Sequence, residues 1–327
     1  MVNTVVGLET IKGAVQLACR APSLHNSQPW RWVTDGNSLS LYLDPTRSVV
    51  STDRSGREAL IGCGAVLDHL RVAIAAAGWA ADIDRFPNPN DRNHLASLRF
   101  RAMTAVTDEQ RHRAEAIARR RTDRLPFAAP PNWQTIESTL RASFDEAVAH
   151  LYVLRDAVRP ELAQASRFTE SLRLYDKWYQ DELDWWTGHF ETTVGIPLSS
   201  LISAAERERV DVGRVFPAAR DSERRTSIQT DHSKVLVIST DCDTRECALS
   251  AGEMLSRILL ECTMAGMATC TLTHMTELAT SRHVIRTLTE SDAWPQLLIR
   301  VGLAPMQEEL PPTTPRRPLR EALEIRA

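Results

Sequence analysis

Two stretches of this chain align without a gap at an offset of 188 residues. The first is GREALIGCGAVLDHLRVAIAAAGW, residues 56–79, and the second is TRECALSAGEMLSRILLECTMAGM, residues 244–267. In this register Arg57 meets Arg245, Glu58 meets Glu246, Gly64 meets Gly252 and Gly78 meets Gly266. Each stretch reads as one long helix with small residues on one face and a glycine stop. Small residues let backbones approach closely, so both copies are expected as central, deeply packed helices. Strand candidates flank each copy: Ser38–Leu43 and His94–Ala102 around the first, Lys234–Thr240 and Gln296–Leu303 around the second. They have the β-branched and apolar content of strands. The order helix, strand, long helix, strand thus occurs twice in 327 residues, a length that itself suggests about two domains. The expectation is an α+β chain of two halves, with the boundary within residues 103–128.

The chain is 43% hydrophobic and 25% charged, the balance of an ordinary globular protein. That excludes a wholly disordered chain, a collagen-like fibre and a disulfide mini-protein. With a net charge of −3 and a pI of about 6.3, no basic excess drives binding to phosphate backbones, and nucleic acid is not expected as a partner. No run is expected to reach the ~20 apolar residues of a membrane helix, so no membrane partner is expected. The first residues lack a basic stretch followed by an apolar one, so they do not read as a signal peptide. Cys19, Cys63, Cys242, Cys247, Cys262 and Cys270 form no CxxC pair and no zinc-finger spacing. They are expected as reduced, partly buried thiols of a cytoplasmic protein without a metal site. Gly62 and Gly64 begin a GxG, but Leu67 stands at the third glycine position. This argues against a classical dinucleotide-binding domain.

Pro130–Ser143 is expected as a helix, and Thr169–His189 as an amphipathic one rich in Trp and Tyr. Trp178, Trp185 and Trp186 are expected to pack in the core, with stacking on a ligand as the other reading. Residues 191–232 have no counterpart in the first half. They contain Gly195, Pro197, Gly213 and Pro217, and charges crowd the stretch from Glu206 to Asp231. So long an irregular insert is expected to be a lid or arm, with a solvated loop as the alternative.

The sharpest motif is Ala21-Pro22-Ser23-Leu24-His25-Asn26-Ser27-Gln28-Pro29-Trp30, after a helix over Glu9–Arg20. Its two prolines and amide side chains suit a rigid, hydrogen-bonding loop. Here the chain resembles the FMN-dependent nitroreductase family, whose loop after the first helix reads APSxxNxQPW. In that family the loop reaches across a dimer interface to the partner's flavin. A second family element, R-x-[ST]-x-[RK], is absent from the N-terminus but resembles Arg120-Arg121-Thr122-Asp123-Arg124. A third, a basic pair near the C-terminus, resembles Arg316-Arg317. A fourth, the turn after the second long helix, falls at Ala268–His274 without the family's frequent Pro, acidic or glycine residues. Arg224 and Arg225 lie near a further polar position without a clean match.

The resemblance is to the tandem, single-chain branch of the family. It implies a nitroreductase-like α+β fold with two homologous halves, 1–110 and 111–327, packed as an intramolecular pseudo-dimer around one FMN site. The FMN-binding residues it implies are Arg120, Thr122, Arg124, Pro22, Ser23, Leu24, Asn26, Thr271, Thr273, His274, Arg316 and Arg317. Arg120, Arg316, Arg317 and Thr122 would take the phosphate, and Arg124 would steady the reduced ring. No side chain is expected to act as nucleophile, since the chemistry lies on FMN. His25 and Cys270 are expected to be structural. The implied activity is NAD(P)H-dependent reduction of FMN, which passes electrons to a nitroaromatic or quinone-like small aromatic acceptor. The alternative is a flavin-binding or flavin-sequestering protein of little turnover under a lid. A fused dimer is expected to be a monomer in solution.

Overall fold

The computed structural model describes residues 5–36, 38–188, 193–217, 221–305 and 313–326. Residues 191–192 and 218–220 of the expected insert, and His189 of the expected Trp-rich helix, lie outside the described residues.

The first stretch runs α1 (Leu8–Ala18), β1 (Trp30–Thr34), β2 (Ser38–Leu43), α2 (Arg57–Ala76), β3 (Trp79–Arg85), β4 (His94–Ala102) and α3 (Asp108–Arg119). It continues through α4 (Trp133–Ala142), β5 (His150–Val153), α5 (Arg159–Arg173), α6 (Lys177–Thr187) and the short α7 (Ala204–Glu208). Then come β6 (Lys234–Thr240), α8 (Arg245–Met264), β7 (Ala268–Leu272), α9 (Ala279–Leu288), β8 (Trp294–Gly302), α10 (Leu319–Ala322) and β9 (Leu323–Ile325). Two sheets result: a five-stranded one in the order β3-β4-β2-β1-β9 and a four-stranded one in the order β5-β6-β8-β7. All pairs are antiparallel except β1 with β9, where Trp32 lies opposite Leu323. The C-terminal strand therefore completes the sheet built from residues 30–102. The proposed cut between 1–110 and 111–327 divides the sequence but not that sheet.

The long helices α2 and α8 cross at the centre, where their glycines meet. A Cβ on Gly64 would lie 1.9 Å from the Leu249 carbonyl oxygen, and one on Gly252 would lie 2.0 Å from that of Ile61. Only hydrogen fits at either site. One turn on, Ser256 donates to Asp68 at 2.6 Å and meets His69 Nδ1 at 2.8 Å, joining positions related by the repeat. Both helices end before a left-handed glycine, Gly78 (φ 90°) or Gly266 (φ 73°), where a side chain would be strained.

Several expectations need correction. Helix α2 is long and apolar enough, by length and composition, to cross a membrane, with a mean hydropathy of 1.6 over its best window. That window is 83% buried inside the protein, as a helix apolar on all sides should be in a core. The expected helix 169–189 is two helices. Asp176 accepts from the Tyr179 amide at 3.2 Å, and this cap starts α6 anew after α5 stops at Arg173. Trp186 is buried, but Trp178 and Trp185 are exposed by 78% and 59%. Residues 268–272, expected as a turn, form β7 because they pair with β8. Cys242 and Cys247 form a disulfide. Thr244 caps α8 between them, and the Cα atoms come within 6.1 Å, a bridgeable distance. The other four cysteines are buried free thiols.

Candidate functional site

The loop after α1 is held in a shape most residues avoid. His25, Asn26 and Gln28 all have positive φ, at 49°, 59° and 52°. Each such residue costs about 1–2 kcal/mol, so the loop needs fixing from several sides. Ser23 Oγ accepts from the Gln28 amide at 2.9 Å. Asn26 Nδ2 donates to the carbonyls of Gly195 and Pro315, both at 3.1 Å. Gln28 donates to the Thr193 carbonyl at 2.9 Å and accepts from the Arg317 amide at 3.0 Å. The amide side chains thus tie together the loop, the insert and the C-terminal tail.

This loop forms one wall of two adjoining cavities. The opposite wall is the segment after α3, which runs beside β7 through a bridge between Thr122 and Thr269. The larger cavity encloses about 1100 Å³, counting its open mouth. Pro22, Leu24, Ile61, Gly62, Leu255 and Leu272 line it, with Thr271 and Thr273 on one side. Leu201, Ile202, Val210, Arg214 and Phe216 of the insert also line it. The smaller cavity, about 610 Å³ by the same measure, is lined by Arg20, Arg120, Arg121, Arg124 and Arg316 with Ser23, Thr122 and Asn26. Pro22, Ser23, His25, Thr122 and Arg124 line both.

The smaller cavity is electrostatically unbalanced. Among the described residues no carboxylate pairs with Arg20, Arg120 or Arg316. Their hydrogen bonds go to backbone carbonyls: Arg120 to Arg20 at 3.2 Å, and Arg316 to Cys19 at 3.1 Å and to Arg20 at 3.0 Å. The Nε atoms of Arg20 and Arg120 are buried without a partner among the described residues. Burial and the neighbouring Arg20 bring Arg120 down to about 10. Burial, with Arg120 and Arg20, brings Arg316 down to about 9. Crowded, desolvated guanidinium groups of this kind suit an anion. Next door, burial and then Arg214 and Arg124 push His25 far below its usual range. Its imidazole is neutral at pH 7, and its buried Nε2 has no partner among the described residues.

Comparison with known proteins then settles the kinship. No family model matches the chain. The "Putative NAD(P)H nitroreductase acg" of Mycobacterium tuberculosis is 58% identical over 327 residues, which span all of this chain and 99% of the relative. The chain belongs to the nitroreductase family. A second relative from the same organism, "Uncharacterized protein Rv3127", is 53% identical over 320 residues, 97% of this chain and 93% of its own. Among solved structures, the FMN and NADPH-dependent nitroreductase NfnB of Sphigopyxis sp. strain HMH aligns with a TM-score of 0.41 and 14% identity. That alignment covers 66% of this chain and 99% of NfnB.

Ten of the residues singled out from sequence line one or both cavities: Pro22, Ser23, Leu24, Asn26, Arg120, Thr122, Arg124, Thr271, Thr273 and Arg316. Two stand elsewhere. Arg317 turns away to the Gln28 and Trp30 carbonyls at 3.3 and 3.2 Å, 3.9 Å from Asp44. His274 lies behind β7, bonded to Ser166 at 2.9 Å. Sequence reading missed Arg20, whose signal was its place just before the loop motif. It also missed Glu58, Arg214 and Phe216, which tertiary folding alone brings to the site. The insert is no solvated loop: Arg225 pairs with Asp123 at 2.8 Å, and Arg214 with Glu277. Phe216 and Leu201 are buried with Tyr179.

Proposed function

We propose that the chain is an FMN-dependent oxidoreductase that takes electrons from NAD(P)H and passes them to a quinone-like or nitroaromatic acceptor. The observation that carries this reading is the cluster of Arg20, Arg120 and Arg316, without a carboxylate, at the end of an apolar cavity. A flavin mononucleotide has that polarity, with a phosphate at one end and a flat aromatic ring at the other. Arg120 and Arg316 would grip the phosphate as forked donors, and Thr122 would add a hydroxyl. Arg124 lines both cavities and would lie beside the polar edge of the ring, where a cation favours the reduced form. Pro22, Ser23, Leu24 and Asn26 would close one face, with Thr271 and Thr273 at the other edge. When bound, FMN would supply the hydride and electron chemistry; the chain's residues bind it, orient it and exclude water.

Two further parts belong to this proposal. The halves are homologous and pack as an internal pseudo-dimer, a reading supported by the meeting of the repeat-equivalent Gly64 and Gly252. One flavin site per chain and a monomer follow. A cytoplasmic location is proposed with them, and the Cys242–Cys247 disulfide is the feature that weighs against it.

A second reading has its own support. Leu201, Ile202, Arg214 and Phe216 of the insert line the larger cavity, so the insert would act as a lid that holds flavin with little turnover. One experiment separates the two. The purified protein is assayed for flavin per chain, then mixed with NADPH without oxygen while flavin absorbance is followed. One FMN per chain and rapid bleaching support the oxidoreductase. Slow bleaching that becomes rapid when the insert is shortened supports the lid. Arg120→Ala should weaken FMN retention by about 10- to 100-fold, the value of a charged hydrogen bond. Retention at wild-type stoichiometry would place the phosphate elsewhere.

A further inference from the structure

Glu58 stands in the first turn of α2, where free amides and the helix dipole ordinarily favour a charged carboxylate. Its repeat counterpart Glu246 follows that rule. It is exposed at the start of α8, and hydrogen bonds from its own amide and from Thr244 hold it below the usual range. Glu58 is different. It is only 2% exposed and is, among the described residues, the one acidic residue lining the larger cavity. It also lines a third, charged cleft of about 1330 Å³, mouth included, with Asp53, Arg57, Asp243, Glu277 and Arg282. Among the described residues no other side chain lines both. Glu58 Oε1 accepts from Arg57 at 2.5 Å, and Arg57 is anchored on the Thr276 carbonyl at 2.7 Å. Glu58 Oε2 is buried with no partner among the described residues. The start of α2 is therefore a partition between the apolar chamber and an outer polar cleft, with Glu58 the described residue common to both.

The groups facing Glu58 are Arg57 on its own helix, Asp53 from the preceding turn and Glu277 from the turn before α9. Arg124, Arg214 and the neutral His25 line the chamber with it. Burial outweighs Arg57, and Asp53 and Glu277 add to it, so the carboxyl is pushed up to about 7. It can hold a proton and release it under ordinary conditions.

We propose that Glu58 is the proton carrier of the chamber: its carboxyl, buried at rest, is protonated from the side of the outer cleft and delivers that proton to the carbonyl oxygen of a quinone-type acceptor. This rests on the oxidoreductase reading above. The nicotinamide donor supplies a hydride equivalent by way of the bound cofactor. The quinone gains that equivalent and one proton from Glu58, and leaves as a hydroquinone. In the transfer the Oε2–H bond breaks and an O–H bond forms on the acceptor. The carboxylate left behind stays beside Arg57 until water in the outer cleft reprotonates it.

The test uses the full chain with Glu58→Gln, which keeps shape but cannot carry the proton, and Glu58→Asp as the conservative variant. FMN in each protein is reduced with dithionite, which bypasses the nicotinamide donor, and then mixed with a benzoquinone. We expect Glu58→Gln to reoxidise about 10²-fold more slowly and to lose the pH dependence near neutrality, with partial recovery in Glu58→Asp. A wild-type rate and pH profile in Glu58→Gln overturns the proposal. A second readout needs no cofactor. Infrared difference spectra of the cofactor-free protein should show a protonated carboxyl titrating near neutral pH, absent from Glu58→Gln. A Glu58 already ionised at about pH 5 overturns the proposal equally. Failure of NADPH to bleach the wild-type protein would instead count against the oxidoreductase reading, and leaves both of these measurements intact.

Discussion

Asp231 shows how single residues hold the insert against the sheet. Its carboxylate accepts from Arg300 at 2.8 Å, Arg159 at 2.6 Å, Ser233 at 2.6 Å and the Phe127 amide at 2.7 Å. Burial alone would raise its pKa, but Arg300 and these hydrogen bonds win and hold it down to about 2. A carboxyl lower in the folded than in the unfolded chain stabilises the fold above the unfolded value of about 4 and loses that contribution as pH falls through about 2. The contribution is on the order of 2–3 kcal/mol. Asp231→Asn leaves the buried Arg300 without its carboxylate, while Arg159 keeps Asp211, so urea unfolding at pH 7 should show a loss of about 3 kcal/mol. The acid-induced decline between pH 4 and 2 should flatten in the same variant. An unchanged midpoint would contradict this account. The arginine cluster has the opposite sign. Arg120 and Arg316 are lowered in the fold, so their charges oppose folding at neutral pH until an anion arrives. Inorganic phosphate should therefore stabilise the cofactor-free protein, by about 2.7 kcal/mol at about 100-fold over Kd, and raise its Tm. Arg120→Ala should abolish the rise in differential scanning fluorimetry.

At the scale of elements, the contact between α2 and α8 decides whether the two sheets share one core. Gly64→Ala would push a methyl group into the Leu249 carbonyl. Neither backbone can yield without separating the helices, so a loss on the order of 3 kcal/mol is expected. Gly252→Ala should behave alike, and the double variant should fall short of the sum because both open the same contact. Thermal unfolding of the three variants checks this. These helices were legible in the sequence because a period, small residues and a glycine stop agree over twenty positions. Strands β2, β4 and β6 were legible to the residue for a similar reason. What escaped were elements made by partners. The Ala268–Leu272 segment is short and polar, and only pairing with β8 makes it a strand. Leu323–Ile325 is a strand only because β1 offers it an edge.

For the whole molecule, the C-terminal tail is a test of unity. Residues 313–326 bring Arg316 to the smaller, arginine-lined cavity, the Pro315 carbonyl to Asn26 and β9 to the first sheet. Deleting the chain beyond residue 305 should remove flavin binding and expose the β1 edge, seen as lost flavin absorbance and as aggregation in light scattering. A truncated chain that stays monomeric and yellow would show that the tail is dispensable. The full chain should scatter as a monomer, since the helix pair that would form an interface is already internal. The amino-acid sequence by itself determined that two long helices repeat one pattern, that both are deeply packed, and where the flanking strands β2, β4 and β6 lie. These follow from local periodicity and from side chains whose chemistry does not depend on distant neighbours. Only the tertiary structure decided that Arg316 faces the cavity while Arg317 turns away, that Arg20 joins the cluster, and that Glu58 is buried while its twin Glu246 is exposed. The physical reason is the same in each case. Burial and electrostatic partnership are properties of three-dimensional neighbours, and many of those neighbours here lie hundreds of residues apart along the chain, as Arg316 and Cys19 do.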